Sequence, residues 1–267
     1  VQISGISTDA VSGFLSEQIL LFTSTQVGGL TTGQVDVLGS DQLVALTTGS
    51  VRGLNSSQIG VLTSADVAAL EDVDFGVLSS DQVGALTSDG LAGLTVSQLG
   101  VLGTSSARGL TSVQVGALVS DQVGALVTGV VRNLSTLQLA AINTDALAGL
   151  TGAQVGVLTT TQVGGLTTSQ VDALLSDQIV AFTTGAVRGL LSAQIGVLTS
   201  QDVAAFEDVD FGALTTGQLA AVTTDAVAGI TVSQVGVLTS TQVGGLTTGQ
   251  VDVLGSDQLV ALTTGSV

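Results

Sequence analysis

Apolar side chains recur along this chain at a fixed step of eight residues. From Ile6 onward every eighth residue is apolar: Ile6, Phe14, Phe22, Leu30, Leu38 and so on to Leu254 and Leu262. Taking this as position one of an octad, position six is also apolar throughout, from Val11, Ile19 and Val27 to Leu259 and Val267, with Ala107 the smallest. Phe14, Phe22, Phe75, Phe182, Phe206 and Phe211 all fall on these two positions, so the aromatic rings belong to the apolar pattern. Positions two and three favour Thr and Ser, position five is usually Gln, and positions seven and eight are mostly Gly, Ala or Val. A fixed short period is the signature of a repeat architecture and outranks local propensity as a fold signal.

The octad cannot be read as one continuous helix. At about 3.6 residues per turn, eight residues rotate position one by roughly 80°, so the apolar stripe would wind around the rod. Abundant Gly and Thr would also weaken a long helix. A short helix in each octad fits every position. In Leu30-Thr31-Thr32-Gly33-Gln34-Val35, Leu stands at N′, Thr at the N-cap, Gln at N3 and Val at N4. The Thr hydroxyl can accept from the N3 amide, the Gln side chain can reach back to the N-cap amide, and the two apolar side chains can close as a hydrophobic staple. The same arrangement recurs at Leu110-Thr111-Gln114-Val115 and Leu214-Thr215-Gln218-Leu219. Gly at positions seven and eight suits a helix that must stop. The pattern therefore predicts an all-α solenoid of very short helices, one per octad, each of about six residues and roughly 9 Å. The alternative is a β-solenoid, since Val, Thr and Ile suit strands. Positions one and six have opposite parity, so that model needs a corner inside every octad and leaves the Gln register unexplained.

One octad cannot fold by itself. Burying two large apolar side chains contributes roughly 3–6 kcal/mol, against about 12 kcal/mol for ordering eight residues. Stacking on neighbours is required, and stability is expected to follow nearest-neighbour rules.

Octads are organised into larger blocks. Residues 22–101 read closely with 158–237, a block of ten octads, and a third copy begins at 238. Both full blocks contain Asp-Val-Asp-Phe-Gly, at 72–76 and 208–212, while 102–157 holds more diverged octads. Val1 stands at position four and Val267 at position six, so residues 1–267 read as one continuous octad solenoid, a window of a longer array.

Composition changes this picture mainly by exclusion. The formal charge is −17 with only four cations, all Arg. That disfavours nucleic acid, which needs clustered Lys and Arg. No stretch approaches the roughly 18–20 apolar residues of a membrane span. His, Cys, Lys and Tyr are absent, which leaves only carboxylates and hydroxyls for acid, base or nucleophile. The reading is non-enzymatic, with no catalytic residue and no cofactor. Gly28-Gly29 and its counterparts are not a phosphate loop, because no Gly-Lys-Ser/Thr or Gly-x-Gly-x-x-Gly follows.

Two departures from the octad deserve a reading. Glu71, Asp72 and Asp74, with Glu207, Asp208 and Asp210, are the densest acidic clusters. They are weak candidates for Ca²⁺, set against the simpler reading of acids favoured at a helix N-terminus. Arg52, Arg108, Arg132 and Arg188 all occupy position seven, in octads whose position five is not Gln. They suggest either an ion-pair ladder with position-seven acids such as Asp36 and Asp172, or solvated surface charge of little energetic weight.

Units such as Leu158-Thr159-Thr160-Thr161-Gln162-Val163-Gly164-Gly165 resemble the tandem octapeptide arrays of giant bacterial surface and secreted proteins labelled adhesin-like or haemagglutinin-like. The resemblance covers essentially the whole chain and implies a bacterial extracellular setting. It transfers no functional residue. Together these readings point to a secreted or cell-surface structural protein that forms a fibre, stalk, sheath or matrix, with copies of itself as partner. The alternative is a surface-binding module that presents Thr and Ser ladders to ice, glycan or mineral.

Overall fold

The computed structural model describes residues 3–265, with side chains described as far as Leu262. Among these residues every regular element is helical and there is no strand. The short-helix solenoid is the fold, and the β-solenoid alternative does not form. After a 3₁₀ turn at Ile3–Gly5, each octad contributes one helix, such as Thr32–Asp36, Ser56–Ile59 or Ser64–Ala69. The exception is the last, Ser256–Gly265, which runs past one octad.

Local chemistry sets the helix starts. Thr31 is extended at φ −74°, ψ 161°. Its Oγ1 accepts from the Gln34 amide at 3.2 Å, and Gln34 Oε1 accepts from the Thr31 amide at 2.7 Å. Where position two is apolar the Gln half of the box persists by itself, as in the Leu175 amide donating to Gln178 Oε1 at 2.9 Å. This local bond shows why the Gln register is stricter than the Thr register.

The chain divides into two compact units, one ending at Leu134 and the other beginning at Ser135. Within each, a helix packs on the one three helices further along. In the first unit Thr8–Ser12 meets Thr32–Asp36, and Ser64–Ala69 meets Ser88–Ala92; in the second, Ser176–Val180 meets Ser200–Ala205. One coil is therefore three octads, 24 residues, and residue n lies one coil from residue n+24. Positions one and six fill the interior. Ile19, Ile59 and Phe75 in the first unit, and Leu147, Phe211 and Leu219 in the second, are fully buried. No helix among the described residues is long and apolar enough to cross a membrane.

Glycines such as Gly29, Gly60 and Gly165 stand at helix C-caps, without the left-handed conformation that only Gly favours. No described residue, glycine or other, has a positive φ. Gly29 and Gly165 close their helices at φ −86° and −87°, a conformation open to any residue. What glycine supplies is close approach between coils. A Cβ on Gly53 would lie 2.1 Å from the Ser24 carbonyl oxygen, one on Gly93 1.9 Å from that of Ser64, and one on Gly189 2.2 Å from that of Thr160. A Cβ on Gly33 would meet nothing within 4 Å.

This contrast is testable. Gly53→Ala should destabilise the first unit by about 1–3 kcal/mol, because backbone must move to admit the methyl. Gly33→Ala should be neutral or stabilise by about 0.4–1 kcal/mol. Chemical denaturation of the two variants beside the parent chain measures both, and equal midpoints would contradict the close-approach assignment.

Candidate functional site

Short helices create a problem that the rest of the coil must solve. The first four N–H groups and last four C=O groups of any α-helix lack intrahelical partners, and a helix of four to six residues is little more than its two ends. The position-five Gln addresses both ends at once. Gln58 Oε1 accepts from the Asn55 amide at 2.7 Å, at the start of its own helix. Its Nε2 donates to the Val27 and Leu30 carbonyls, 2.8 Å each, at the end of a helix one coil below. Gln98 repeats the arrangement on Val67 and Leu70, and in the second unit Gln170 does so on Leu139 and Ile142, and Gln234 on Val203 and Phe206. In these four the acceptors are residues i−31 and i−28, a position six and a position one, whereas Gln242 takes Gly212, i−30, together with Leu214. The orientation of the amide is dictated by its partners, since the N–H must meet an oxygen and the carbonyls must meet a nitrogen.

Burial follows from this bridging. Gln58 is fully buried, whereas Gln18 in the first coil is exposed and makes only the box bond. The sequence reading found the local half of this interaction and missed the inter-coil half.

Octads without Gln, apart from the one with Val130 at position five and Asn133 at position eight, fall into two groups among the described residues. In the first, position five is small and position eight is Gly: Ala10/Gly13, Ser50/Gly53, Gly90/Gly93, Ser106/Gly109, Ala146/Gly149, Ala186/Gly189 and Ala226/Gly229. These glycines include the close approaches described above, so the coils meet backbone to backbone where the amide is missing. Ser106 retains one latch bond, its Oγ donating to the Leu78 carbonyl at 2.6 Å. In the second group position five is Asp, at Asp66, Asp74, Asp202 and Asp210. Asp66 and Asp202 keep the box, their Oδ2 accepting from the Thr63 and Thr199 amides at 2.9 Å each. A carboxylate has no N–H, so neither can serve the carbonyls below.

The acidic residues singled out by sequence do not converge. Glu71 and Asp72 lie at the surface end of the helix Asp72–Phe75, where Asp72 accepts a hydrogen bond from Ser97 Oγ one coil away. Asp74 turns inward and is 2 % exposed. Their counterparts divide in the same way: Asp208 accepts from Ser233 Oγ, while Asp210 is buried and accepts from Thr184 Oγ1 at 2.6 Å. Among the described residues no three acidic side chains gather as a metal-binding group. Asp66 and Asp202 escaped the sequence reading. Their shared position five with Asp74 and Asp210 was the signal that could have found them.

Arg52 and Arg188 are not set beside Asp36 and Asp172, for a topological reason. Coil neighbours are 24 residues apart, which places Gly28 and Gly76 beside Arg52, and Gly164 and Gly212 beside Arg188. Asp36 stands on a different helix row from Arg52, and Asp172 on a different row from Arg188. Arg108 instead reaches Asn133, with Nη2 donating to Oδ1 at a long 3.5 Å.

These geometries decide what comparison with known proteins can mean. The chain is similar to the ALTTAQ repeat family. The match falls on residues 35–72, 156–184, 203–240 and 236–264, four tandem placements that mark a repeat-array protein. The six letters of that name run from position eight to position five, so the pattern ends on the bridging Gln; Gly165-Leu166-Thr167-Thr168-Ser169-Gln170 is one such stretch here. No curated protein matches the chain.

The two halves of the ALTTAQ-like Gln can be separated by substitution. Gln58→Glu keeps the acceptor for Asn55 but sets a carboxylate against the Val27 and Leu30 carbonyls, whereas Gln58→Ala removes both functions. If the inter-coil half dominates, Glu should destabilise at least as much as Ala, each by about 1–3 kcal/mol. A Glu variant as stable as the parent would show that only the local box matters. Denaturant midpoints compared at neutral pH decide between them.

Proposed function

We propose that the chain is a stretch of a secreted or surface-bound bacterial structural array, acting as fibre, stalk, sheath or matrix through contacts with copies of itself. One observation carries this reading: coils bridged by Gln present the same two faces. Gln amides donate on one side, position-six and position-one carbonyls accept on the other, and apolar rows accompany both. The face above one such coil is thus complementary to the face below another. A head-to-tail contact of this kind need not close, and open repetition gives a filament.

Other features support the same reading. Repetition leaves no unique place for an active centre, and a chain lacking His, Cys, Lys and Tyr is poorly equipped for catalysis. The formal charge of −17 opposes lateral bundling until salt screens it, with a screening length of about 10 Å at 0.1 M. The competing reading as a surface-binding module relies on ordered hydroxyl ladders. Many position-two hydroxyls are engaged as helix caps, for example Thr31, Thr95 and Thr231. Exposed Leu15, Val119, Leu175 and Leu191 also interrupt that row.

Sedimentation velocity and negative-stain imaging over a range of protein and salt concentrations test the proposal. Filaments that lengthen with concentration and associate laterally with added salt are the expected result. A monodisperse monomer under all conditions would overturn it.

A further inference from the structure

The four Asp residues at position five occupy places where the Gln octads supply a hydrogen-bond donor. Position five points at the carbonyl of residue i−28: Gln82 Nε2 reaches Leu54 O at 2.7 Å, and even the short Ser106 reaches Leu78 O at 2.6 Å. For Asp74 that carbonyl belongs to Leu46, and for Asp210 to Phe182. Neither carbonyl receives a donor among the described residues. Asp74 is 2 % exposed, and its Oδ1 is buried without any hydrogen-bond partner. By that register a buried carboxylate shares its place in the coil with a backbone carbonyl that receives no donor.

The octad sequence shows that this slot is not closed up. Where position five is Ser, Gly or Ala, position eight becomes Gly and the coils approach backbone to backbone. The Asp octads instead carry Ala69, Val77, Ala205 and Ala213 at position eight, as Gln octads do. They keep the side-chain bulk of a Gln-bridged coil while offering a side chain one methylene shorter than Gln. A hydroxyl oxygen completes the surroundings: Thr184 Oγ1 lies 2.6 Å from Asp210 Oδ1, and Thr48 holds the same register below Asp74.

We infer that the Asp74 and Asp210 slots each bind a small hard cation, held by the carboxylate, the Leu46 or Phe182 carbonyl and the Thr48 or Thr184 hydroxyl. An oxygen-only donor set is the chemistry that sodium and calcium ions prefer. A buried carboxylate without a compensating charge is strongly unfavourable, so the cation replaces the missing Gln amide and fastens the coil to the one below. The sites do not depend on filament formation, and they leave out Asp72 and Asp208, which accept from Ser97 and Ser233. Asp66 and Asp202, one octad earlier in each block, lack the same donor, so two successive latches in each block depend on something other than Gln.

The test compares thermal unfolding of the chain at neutral pH in tetramethylammonium, sodium and calcium chlorides at equal ionic strength. Tetramethylammonium is too large for the slot and sets the baseline. Sodium, calcium or both should raise the midpoint, and which of them does so identifies the ion. Asp74→Gln/Asp210→Gln should restore the amide, unfold higher than the parent in tetramethylammonium, and lose the cation response. Asp72→Asn/Asp208→Asn should retain it. Hydrogen exchange should show the added protection concentrated in residues 43–50 and 70–78, and in 179–186 and 206–214. The inference is overturned if the parent chain responds equally to all three cations, if the Gln variant keeps the response, or if acid stabilises the parent while no cation does. That last result would assign the slot to a proton.

Discussion

A single side-chain amide makes this architecture possible. Helices of four to six residues are mostly end, and the ends of a helix are where backbone groups lack partners. Burying them would ordinarily be prohibitive, since an unpaired buried polar group costs about 1–3 kcal/mol. Gln at position five closes one N–H at its own helix start and reaches two carbonyls at a helix end one coil away. Glu could not donate to the carbonyls, and Asn would be one methylene short of the span. The position-one and position-six side chains fill the interior, but the Gln bridge lets the backbone around them be dry.

This division of labour explains how much was legible in the sequence. The octad, the staple between positions one and six, and the Thr–Gln box are all local, and a period of eight residues exposes them. The inter-coil bonds join residues 28 and 31 apart and become visible only once three octads are known to make one coil. No local pattern states that number. A trace of it was present in the pairing of small residues at position five with Gly at position eight, as in Ser50/Gly53 and Ala186/Gly189. That pairing reports a close approach to the coil below, such as the Gly53 and Gly189 contacts with Ser24 and Thr160.

The charged residues are ambiguous in the sequence for the same reason. Glu71, Asp72 and Asp74 are adjacent in sequence, yet the first two face solvent and the third faces the coil below. Arg52 and Asp36 share position seven, yet three helices per coil set them on different rows. Position within the octad tells whether a side chain is inside or outside, and position within the 24-residue coil tells what it meets. Only the first of these can be read without the fold. An array built in this way can exchange, duplicate and extend its coils while preserving every interface, which matches the near-repetition of residues 22–51 at 238–267.

The most direct test of this account is the behaviour of the Gln side-chain amides themselves. In nuclear magnetic resonance spectra of the folded chain, the Nε2 protons of Gln58, Gln98, Gln170 and Gln234 should exchange with water far more slowly than those of the exposed Gln18. Couplings across their hydrogen bonds should lead to the carbonyls of Val27 and Leu30, Val67 and Leu70, Leu139 and Ile142, and Val203 and Phe206. Side-chain amides that exchange as fast as Gln18, in a chain that is otherwise helical and folded, would contradict the claim that these residues fasten one coil to the next.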